Sequence, residues 1–373
     1  MSFVLENQKI SASSPTYVIA EAGVNHNGNL NLAKKLCDTA KDCGANAIKF
    51  QTWNTDEIIL EHVSKAKYQI NKQNDESQFE MLKNLEMPLK NFKELYDYCK
   101  KIGITFLSTP NDLDSFKFLE ALGISAFKIG SDDLDNFQLL KNISYSNKPM
   151  IISTGMNNLD SIKKTMDFLH DTQQNLIFLH CTTSYPTQIQ DCNLNAMITM
   201  EKELNTIVGY SDHTQELWIP VIAIYKGAKI IEKHFTLDKT FQGPDHKMSL
   251  EPDELKEMIK LIRKFEDFKK INKNISVSEL SNFLKVEKEK ITLACGSYIK
   301  KPTKSELLIA NSIKKTIVSK CSIKKGEHLT TSNISIKRAG FIGMSPNKYY
   351  EILNHKVAVD IEKNEVLQNE KIE

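Results

Sequence analysis

The chain has 373 residues, of which 40% are hydrophobic and 26% are charged, and its formal net charge is +2. This length suits one large and one small domain, and the near-neutral charge gives no reason to expect nucleic acid or a membrane surface as a partner. The N-terminal residues carry neither the basic nor the apolar segment of a secretory signal, and no apolar stretch reaches membrane-spanning length. Seven scattered cysteines are typical of reduced thiols, so we expect a cytoplasmic protein.

Eight short apolar, β-branched segments recur along the first two thirds of the chain, and each ends in polar residues. They are residues 16–23, 46–52, 104–110, 125–131, 149–155, 176–182, 206–213 and 228–236. The stretches between them, such as residues 30–44, carry apolar side chains at helical spacing. Eight alternations of strand and helix predict an α/β fold in which parallel strands close into a (β/α)₈ TIM barrel. A doubly wound open sheet is the alternative, but the glycine-rich phosphate turn that usually opens it is missing after the first segment.

The residue pattern changes twice in the last third of the chain. Residues 250–292 are charged and helical in pattern, and their first part fits the last helix of a barrel. After Cys295, short β-type segments alternate with turns. We therefore place a barrel domain at residues 1–265, a helical insertion or linker at 266–295, and a small β-rich domain at 296–373.

Polar side chains stand at the C-terminal ends of all eight predicted strands. In a parallel barrel these ends form one mouth, where active sites are built. Alternate residues of a strand share a face, so Lys49 and Gln51 point the same way. Two further pairs do the same, Ser211 with His213 and Glu232 with His234. Because buried unpaired charge is costly, so many ionisable strand ends indicate a functional site.

Two lysines among these strand ends predict a positively charged base to the site at the barrel mouth, called the floor below. Lys49 and Lys128 would lie beside four hydroxyl side chains, those of Thr109, Ser131, Ser153 and Ser211. Such a floor suits a ligand that carries both phosphate and carboxylate, because charge-assisted hydrogen bonds are strong. The alternative is that the lysines pair with Glu21 and Glu232 in a structural ion network.

His213 and His234 end the seventh and eighth predicted strands. Neighbouring strands lie roughly 4.8 Å apart, so two imidazoles at equal height can bind one divalent ion. Water and substrate oxygens would then fill the open positions, as in catalytic metal sites. The spacing itself follows no local metal-binding motif, so this prediction depends on the barrel.

Long motifs give the sequence a family resemblance. They are IAEAGVNHNG (19–28), KFQT (49–52), LSTP (107–110), FKIGS (127–131), ISTGM (152–156), LHCTTSYP (179–186), VGYSDHT (208–214), IEKHFTLDK (231–239), GPDH (243–246) and SLEP (249–252). With these motifs the chain resembles the N-acetylneuraminate (sialic acid) synthase family. Residues 319–340 resemble that family's antifreeze-like (SAF) domain. The resemblance implies a (β/α)₈ barrel with a C-terminal SAF domain, a domain-swapped homodimer, and a divalent metal, Mn²⁺ before Mg²⁺ or Co²⁺.

The resemblance also implies roles for residues that match the family's motifs. Metal ligands would be His213 and His234. Phosphoenolpyruvate would be held by Lys49, Thr109, Lys128, Ser131, Ser153 and Ser211. Glu21 and Gln51 would lie near the reacting aldehyde, and the sugar would be faced by Tyr185, Asp245 and Asp133. Arg338 would reach into the partner protomer's site, towards the N-acetyl group. Of these, Glu21, Lys49, Lys128 and His234 would be catalytic.

The reaction implied by the resemblance joins phosphoenolpyruvate to an N-acetylated, mannose-type sugar, giving a nine-carbon 2-keto-3-deoxy sugar acid and phosphate. The acceptor could be N-acetylmannosamine, its 6-phosphate, or 2,4-diacetamido-2,4,6-trideoxymannose. Three alternatives stay open: a pyruvate-dependent Schiff-base aldolase that uses Lys49 or Lys128, a synthase of a different 2-keto-3-deoxy acid, and a non-catalytic sugar- or ice-binding protein.

Three features depart from the family's pattern. Asp132 stands where the family usually has glycine, which adds a charge near the sugar. Ser184 replaces an asparagine or glutamate that several relatives carry close to the substrates. Residues 266–290 look like an inserted helical segment, to which the sequence assigns no role.

Overall fold

The computed structural model describes residues 2–6, 8–66, 69, 76–170 and 175–373. It opens with an antiparallel hairpin that the sequence did not predict, formed by β1 (Ser2–Leu5) and β2 (Gln8–Ser11). Phe3, Leu5 and Ile10 are buried and pack with Tyr17 and Ile19 of the following strand. The hairpin therefore adds its apolar face to the core at the N-terminal end of the barrel.

All eight predicted strands are present and form a closed parallel barrel. They are β3 (Tyr17–Gly23), β4 (Ala47–Thr52), β5 (Thr105–Pro110), β6 (Phe127–Ile129), β7 (Met150–Ser153), β8 (Leu176–Cys181), β9 (Val208–Asp212) and β10 (Ile230–His234). Each strand pairs with the next along the chain, and β10 closes on β3. The predicted (β/α)₈ barrel is thus confirmed, and the open sheet is not formed.

Helices surround the barrel and connect its strands. They are α1 (Leu30–Asp42), α2 (Thr55–Ile58), α3 (Gln78–Leu85), α4 (Leu89–Ile102), α5 (Leu113–Leu122), α6 (Phe137–Ser144), α7 (Leu159–His170), α8 (Ala196–Leu204), α9 (Ile219–Tyr225) and α10 (Pro252–Ile271). In α1 the side chain of Asn29 caps the helix by accepting from the Leu32 N–H, and one apolar face is buried against the strands. This apolar layer between helices and strands is the main core.

The segment predicted as an insertion packs as part of the outer helical layer. Helix α10 continues through residue 265, where we placed the domain boundary, and two short helices follow it, α11 (Val277–Leu284) and α12 (Lys288–Cys295). Leu280, Ile291 and Ala294 are fully buried and belong to the main core. These contacts tie the segment to the barrel wall.

Helix α13 (Lys304–Ile313) leads to the second domain, which contains the antiparallel strands β11 (Lys315–Ser319) and β12 (Ile334–Arg338) around a separate small core. This domain lies over the mouth of its own barrel, where the Leu60 N–H donates to the Arg338 carbonyl at 2.9 Å. Within the described part of the chain, no helix is long and apolar enough to cross a membrane.

Candidate active site

A cleft lies at the C-terminal ends of the barrel strands, beneath the second domain. Nearly every residue that the sequence singled out lines this cleft. They are Glu21, Lys49, Gln51, Thr109, Lys128, Ser131, Ser153, Tyr185, Ser211, His213, His234, Asp245 and Arg338. The exception is Asp133. Strands distant in sequence thus deliver their last residues to one place, as the barrel requires.

Glu21, Lys49 and Gln51 form one connected group on β3 and β4. The Lys49 ammonium lies 2.9 Å from one oxygen of Glu21, and the Gln51 amide donates to the other oxygen at 3.1 Å. Gly23 allows this arrangement, because it has φ +53° and a Cβ there would lie 3.2 Å from the Glu21 carboxylate. Glu21 and Lys49 are buried, so their charges face each other and the cleft, while Gln51 is partly exposed.

Burial and neighbouring charge shift the pKa values of this group. Desolvation raises the pKa of Glu21 to about 7, helped by the nearby Glu232 and opposed by Lys49. For Lys49 burial acts to lower the pKa, but the carboxylates of Glu21 and Glu232 outweigh it, and the pKa lies above the ordinary value. Glu21 is therefore poised to exchange a proton near neutral pH, and Lys49 stays charged.

A second group surrounds Lys128 on β6, two strands along the barrel from Lys49. Its ammonium donates to Ser153 Oγ at 2.7 Å and lies 3.4 Å from Glu232, which in turn accepts from Ser211 Oγ at 3.0 Å. Burial lowers the pKa of Lys128. Each lysine thus pairs with a glutamate, as a structural ion network would require. All four side chains nevertheless line the cleft, where a ligand can reach them.

Hydroxyl side chains complete the floor. Thr109 Oγ1 accepts from Lys49 at 3.1 Å, and Ser131 Oγ accepts from the Gly155 N–H at 2.8 Å. A Cβ on Gly155 would collide with the Thr183 side chain and come within 2.9 Å of Ser131 Oγ. The loop after β7 therefore approaches the floor more closely than any residue but glycine permits.

His213 and His234 face each other at the cleft edge, with ring centroids 5.4 Å apart. Nδ1 of His213 lies 2.8 Å from the Thr182 carbonyl, which fixes the ring. Nδ1 of His234 is buried without a hydrogen-bond partner and lies 3.9 Å from Asp245. Burial and the neighbouring His213 hold the pKa of His234 well below its usual range, so this imidazole is neutral. Burial raises the pKa of Asp245 to about 6.

These two histidines differ as donors for a divalent ion: His234 is neutral, whereas burial acts to lower the pKa of His213 but the neighbouring Cys181 outweighs it and raises that pKa to about 9. The His213 ring would therefore release a proton on binding a metal. The orphaned, buried Nδ1 of His234 lacks the partner that a polar atom in such a place normally has. Among the described residues, no three histidine, cysteine or acidic side chains converge to enclose an ion. A metal here would therefore keep several positions for water or substrate.

Asp133 does not line the cleft, although the sequence predicted that it would face the sugar. It is fully buried between the domains, where it accepts from Lys315 at 2.7 Å and from Asn136 at 2.7 Å. Its neighbour Asp132 turns into the cleft instead and accepts from Arg338 at 2.7 Å. The short 3₁₀ turn over Ser131–Asp133 sends the two carboxylates in different directions. Arg338 reaches this cleft from the same chain.

Sequence reasoning missed the apolar wall of the cleft. Trp53 follows β4, and α3 adds further apolar side chains; the wall comprises Val24, Trp53, Ile58, Met81, Leu82 and Leu85. The amphipathic pattern of residues 78–85 could have predicted the helix, but nothing local indicates that it borders the cleft. Cys181, Met156 and Ile313 also line the cleft.

A closed (β/α)₈ barrel whose charged cleft lies at the strand C-termini defines a barrel enzyme with its active site in that cleft. Comparisons with known proteins agree. The NeuB family model matches residues 36–273, and the SAF domain model matches residues 314–373. The chain therefore belongs to the NeuB family, and it is a sialic-acid-type synthase, a transferase that forms a carbon–carbon bond.

Similar proteins span nearly the whole chain. The N,N'-diacetyllegionaminic acid synthase of Campylobacter jejuni is 42% identical, covering 95% of this chain and 99% of that protein. The N-acetylneuraminate-9-phosphate synthase of Mus musculus is 32% identical, covering 98% of this chain and 94% of the mouse protein. The crystal structure of the spore coat polysaccharide biosynthesis protein SpsE of Bacillus subtilis has a TM-score of 0.83 at 32% identity, covering 100% and 99% of the two chains.

Proposed function

We propose that the chain condenses phosphoenolpyruvate with an unphosphorylated, N-acetylated mannose-type sugar, giving a nine-carbon 2-keto-3-deoxy sugar acid and phosphate. The observation that carries the proposal is the convergence of Lys49 and Lys128, with hydroxyls from four strand ends, on one floor beside His213 and His234. A small ligand with a phosphate and a carboxylate matches two ammonium groups and several hydroxyl donors.

The two lysines bind and stabilise the anionic oxygens. Lys49 on β4 pairs with Glu21, and Lys128 on β6 pairs with Glu232. C3 of phosphoenolpyruvate attacks the aldehyde carbon of the open-chain sugar, water adds at C2, and the C–O bond to phosphate then breaks. Fixed ammonium and hydroxyl groups need no reorganisation as charge moves between these oxygens.

His213 and His234 would hold a divalent ion, with Mn²⁺ as the expected metal. When bound, such an ion supplies Lewis acidity at the sugar aldehyde oxygen. The chain's own contribution is orientation: the Thr182 carbonyl fixes the His213 ring, and burial keeps His234 neutral and able to donate its lone pair.

Glu21 would move the proton of the reaction. Its pKa of about 7 suits general acid–base work at neutral pH, either on the attacking water or on the new alkoxide. Gln51 donates to Glu21 and fixes the carboxylate, and Lys49 lies on the other oxygen. Closure by the second domain limits the water that competes for this proton.

The charge balance supports an acceptor without phosphate. Among the described lining residues, Arg338 is the one lysine or arginine besides the two floor lysines assigned to phosphoenolpyruvate, and it already pairs with Asp132. The remaining wall, with Trp53 and the apolar side chains of α3, suits methyl and N-acetyl groups. A diacetamido 6-deoxy sugar fits such a wall, and a legionaminic acid synthase is 42% identical to the chain.

The test is release of phosphate from phosphoenolpyruvate with four sugars: N-acetylmannosamine, its 6-phosphate, and the 2,4-diacetamido-6-deoxy sugars that lead to legionaminic and pseudaminic acid. Each is assayed with and without Mn²⁺. We expect turnover with an unphosphorylated sugar only, and only with metal. Preference for the 6-phosphate would overturn the acceptor class. Incorporation of pyruvate after borohydride reduction would instead identify a Schiff-base aldolase that uses Lys49 or Lys128.

We also propose that the chain forms a homodimer. The domain-swapped form that the family resemblance implies would seat each second domain on the partner's barrel, in place of the same-chain contact between Arg338 and Asp132. Large apolar side chains in and just before helix α13 support association with a second copy, since Ile299, Leu307 and Leu308 are each at least 60% exposed. Light scattering on the eluting protein measures its mass. A Leu308→Lys variant should shift it towards a single chain, and a wild-type mass of one chain would contradict the proposal.

A further inference from the structure

Glu306 lies in the first turn of α13, between the regions that match the two family models, yet its side chain reaches into the barrel. It is 1% exposed. One oxygen accepts two backbone N–H groups, from Met156 at 2.6 Å and from Thr183 at 2.9 Å. The other oxygen accepts the Thr303 N–H at 2.8 Å and caps its own helix. One carboxylate thus joins three segments of the chain.

The first of the two barrel segments carries Ser153 of the proposed anion site, and the second carries Cys181 and Thr183, which line the cleft. Met156 follows β7, three residues after Ser153, and Thr183 follows β8, two residues after Cys181. Met156 has φ +58°, a left-handed conformation that is unfavourable for a residue with a long side chain. The bond from its N–H to Glu306 therefore helps to hold a backbone conformation that the chain does not adopt freely.

This turn also places the floor hydroxyls. The Gly155 N–H, one residue before Met156, donates to Ser131 Oγ, and the Asn157 amide, one residue after it, donates to the Ser131 carbonyl at 3.1 Å. A shift of the turn would move Ser131 and loosen the approach of Gly155 to the floor.

Apolar contacts fix the helix against the same turn. Ile309 and Ile313 form a buried cluster with Met156, and both Met156 and Ile313 line the cleft. The Lys300 ammonium, in the chain leading to α13, donates to the Cys181 carbonyl at 3.4 Å. Residues 300–313 therefore contact the ends of β7 and β8 at several points, and Glu306 makes the two shortest of these polar contacts.

We propose that Glu306 is a positioning residue for the anion-binding floor: it holds the turns after β7 and β8 in the geometry that binds phosphoenolpyruvate. The identity of that ligand rests on the function proposed above. Glu306 touches neither the floor lysines nor the histidines, so its effect passes through the backbone of the two turns.

The chain offers a matched control. Glu279 occupies the same position in α11, where it forms a capping box with Ser276 as Glu306 does with Thr303, but it is exposed and makes no contact with the barrel turns. Replacing either glutamate by alanine removes the N3 side chain of a capping box. Only Glu306→Ala leaves two buried N–H groups of the barrel without an acceptor.

Steady-state kinetics give the first readout. We expect Glu306→Ala to raise the KM for phosphoenolpyruvate about 10- to 100-fold, because small displacements of binding groups are costly, with a smaller change in the KM for the sugar. Glu279→Ala should change neither value more than about twofold. Glu306→Gln keeps an acceptor oxygen for the two turns and should recover most of the loss. Equal effects of the two alanine variants would overturn the proposal.

Amide hydrogen exchange without substrates gives a second readout that does not depend on turnover. The amides of Met156 and Thr183 should exchange faster in Glu306→Ala and Glu306→Gln than in Glu279→Ala, with alanine the larger effect. Unchanged exchange at both amides would refute the role of Glu306. A wild-type protein that releases no phosphate from phosphoenolpyruvate would refute the proposed function instead, and the exchange result would still decide whether Glu306 holds the two turns.

Discussion

Lys315 and Arg338 are direct cross-strand partners in the sheet of the second domain, and their side chains pair with two consecutive carboxylates of the barrel. Lys315 lies 2.7 Å from Asp133, and Arg338 lies 2.7 Å from Asp132. The first pair is at most 1% exposed, while the second borders the cleft. The buried pair of Lys315 and Asp133 therefore fastens the second domain to the barrel, and the pair of Arg338 and Asp132 places charged groups beside the cleft.

Replacing Lys315 by methionine should destabilise the protein strongly. The change leaves the Asp133 carboxylate buried without its counter-charge, which typically costs about 3–5 kcal/mol. Burial already raises the pKa of Asp133 to about 6, so the loss should be larger at pH 8 than at pH 5, where the carboxyl is protonated. Urea unfolding at the two pH values measures it. The double variant Lys315→Met/Asp133→Asn should recover part of the stability; no recovery would mean that the ion pair is not the cause.

Replacing Arg338 by alanine should weaken binding of the sugar and leave binding of phosphoenolpyruvate nearly unchanged. Arg338 reaches the cleft from the second domain, beside Asp132, so we expect the KM for the sugar to rise about tenfold or more while the KM for phosphoenolpyruvate changes little. Initial rates with each substrate varied in turn give both constants. Lys320→Ala, an exposed change in the same domain, is the control. If the KM for phosphoenolpyruvate rises more than the KM for the sugar, Arg338 acts on phosphoenolpyruvate and the role assigned to it is wrong.

The barrel and most of its cleft were predictable because both follow from local patterns. Strand ends such as Lys49 with Gln51 are fixed by a period of two and by the shared mouth of a parallel barrel. Asp133 shows where this reasoning stops. It lies beyond β6, in a turn whose direction depends on Lys315, which is 182 residues away in sequence. No local pattern distinguishes it from Asp132.

Contacts between distant segments also explain the other differences. Trp53 and the side chains of α3 line the cleft only because the second domain covers the mouth beside them. The N-terminal hairpin was missed because two strands of four residues carry little periodic signal. The predicted boundary at residue 265 falls inside α10, which is one continuous 20-residue helix whose end no local signal at residue 265 marks.

Removing either imidazole should weaken metal binding. His213→Ala and His234→Ala each take away one of two proposed ligands, so we expect the affinity for Mn²⁺ to fall at least about 100-fold and metal-dependent phosphate release to disappear. Isothermal titration with Mn²⁺ measures binding directly. Cys181→Ser, next to His213 but not proposed as a ligand, should bind metal like the wild type. Retention of wild-type Mn²⁺ affinity in both histidine variants would remove the pair from the metal site.

Glu21 should give the protein a titration near pH 7 that a glutamine variant lacks. In the folded state its pKa is about 7, above the value of 4.5 expected when the chain is unfolded, so the folded protein binds the extra proton between these two values. Stability contributed by the protonated carboxyl is thus present at low pH and is lost as pH rises through about 7. Relative to Glu21→Gln, the wild type should lose stability between pH 5 and pH 8 in urea unfolding.

The same substitution should remove a limb of the pH–rate profile. Glu21→Gln keeps the hydrogen bonds to Gln51 and Lys49 in part but cannot exchange a proton, so we expect kcat to fall about 10²- to 10⁴-fold and the inflection near pH 7 to vanish. Phosphate release at saturating substrates from pH 5.5 to 9 measures both effects. Asp245, whose pKa lies near 6, is the competing source of such an inflection. If Asp245→Asn removes it and Glu21→Gln does not, the proton belongs to Asp245 and the role assigned to Glu21 is wrong.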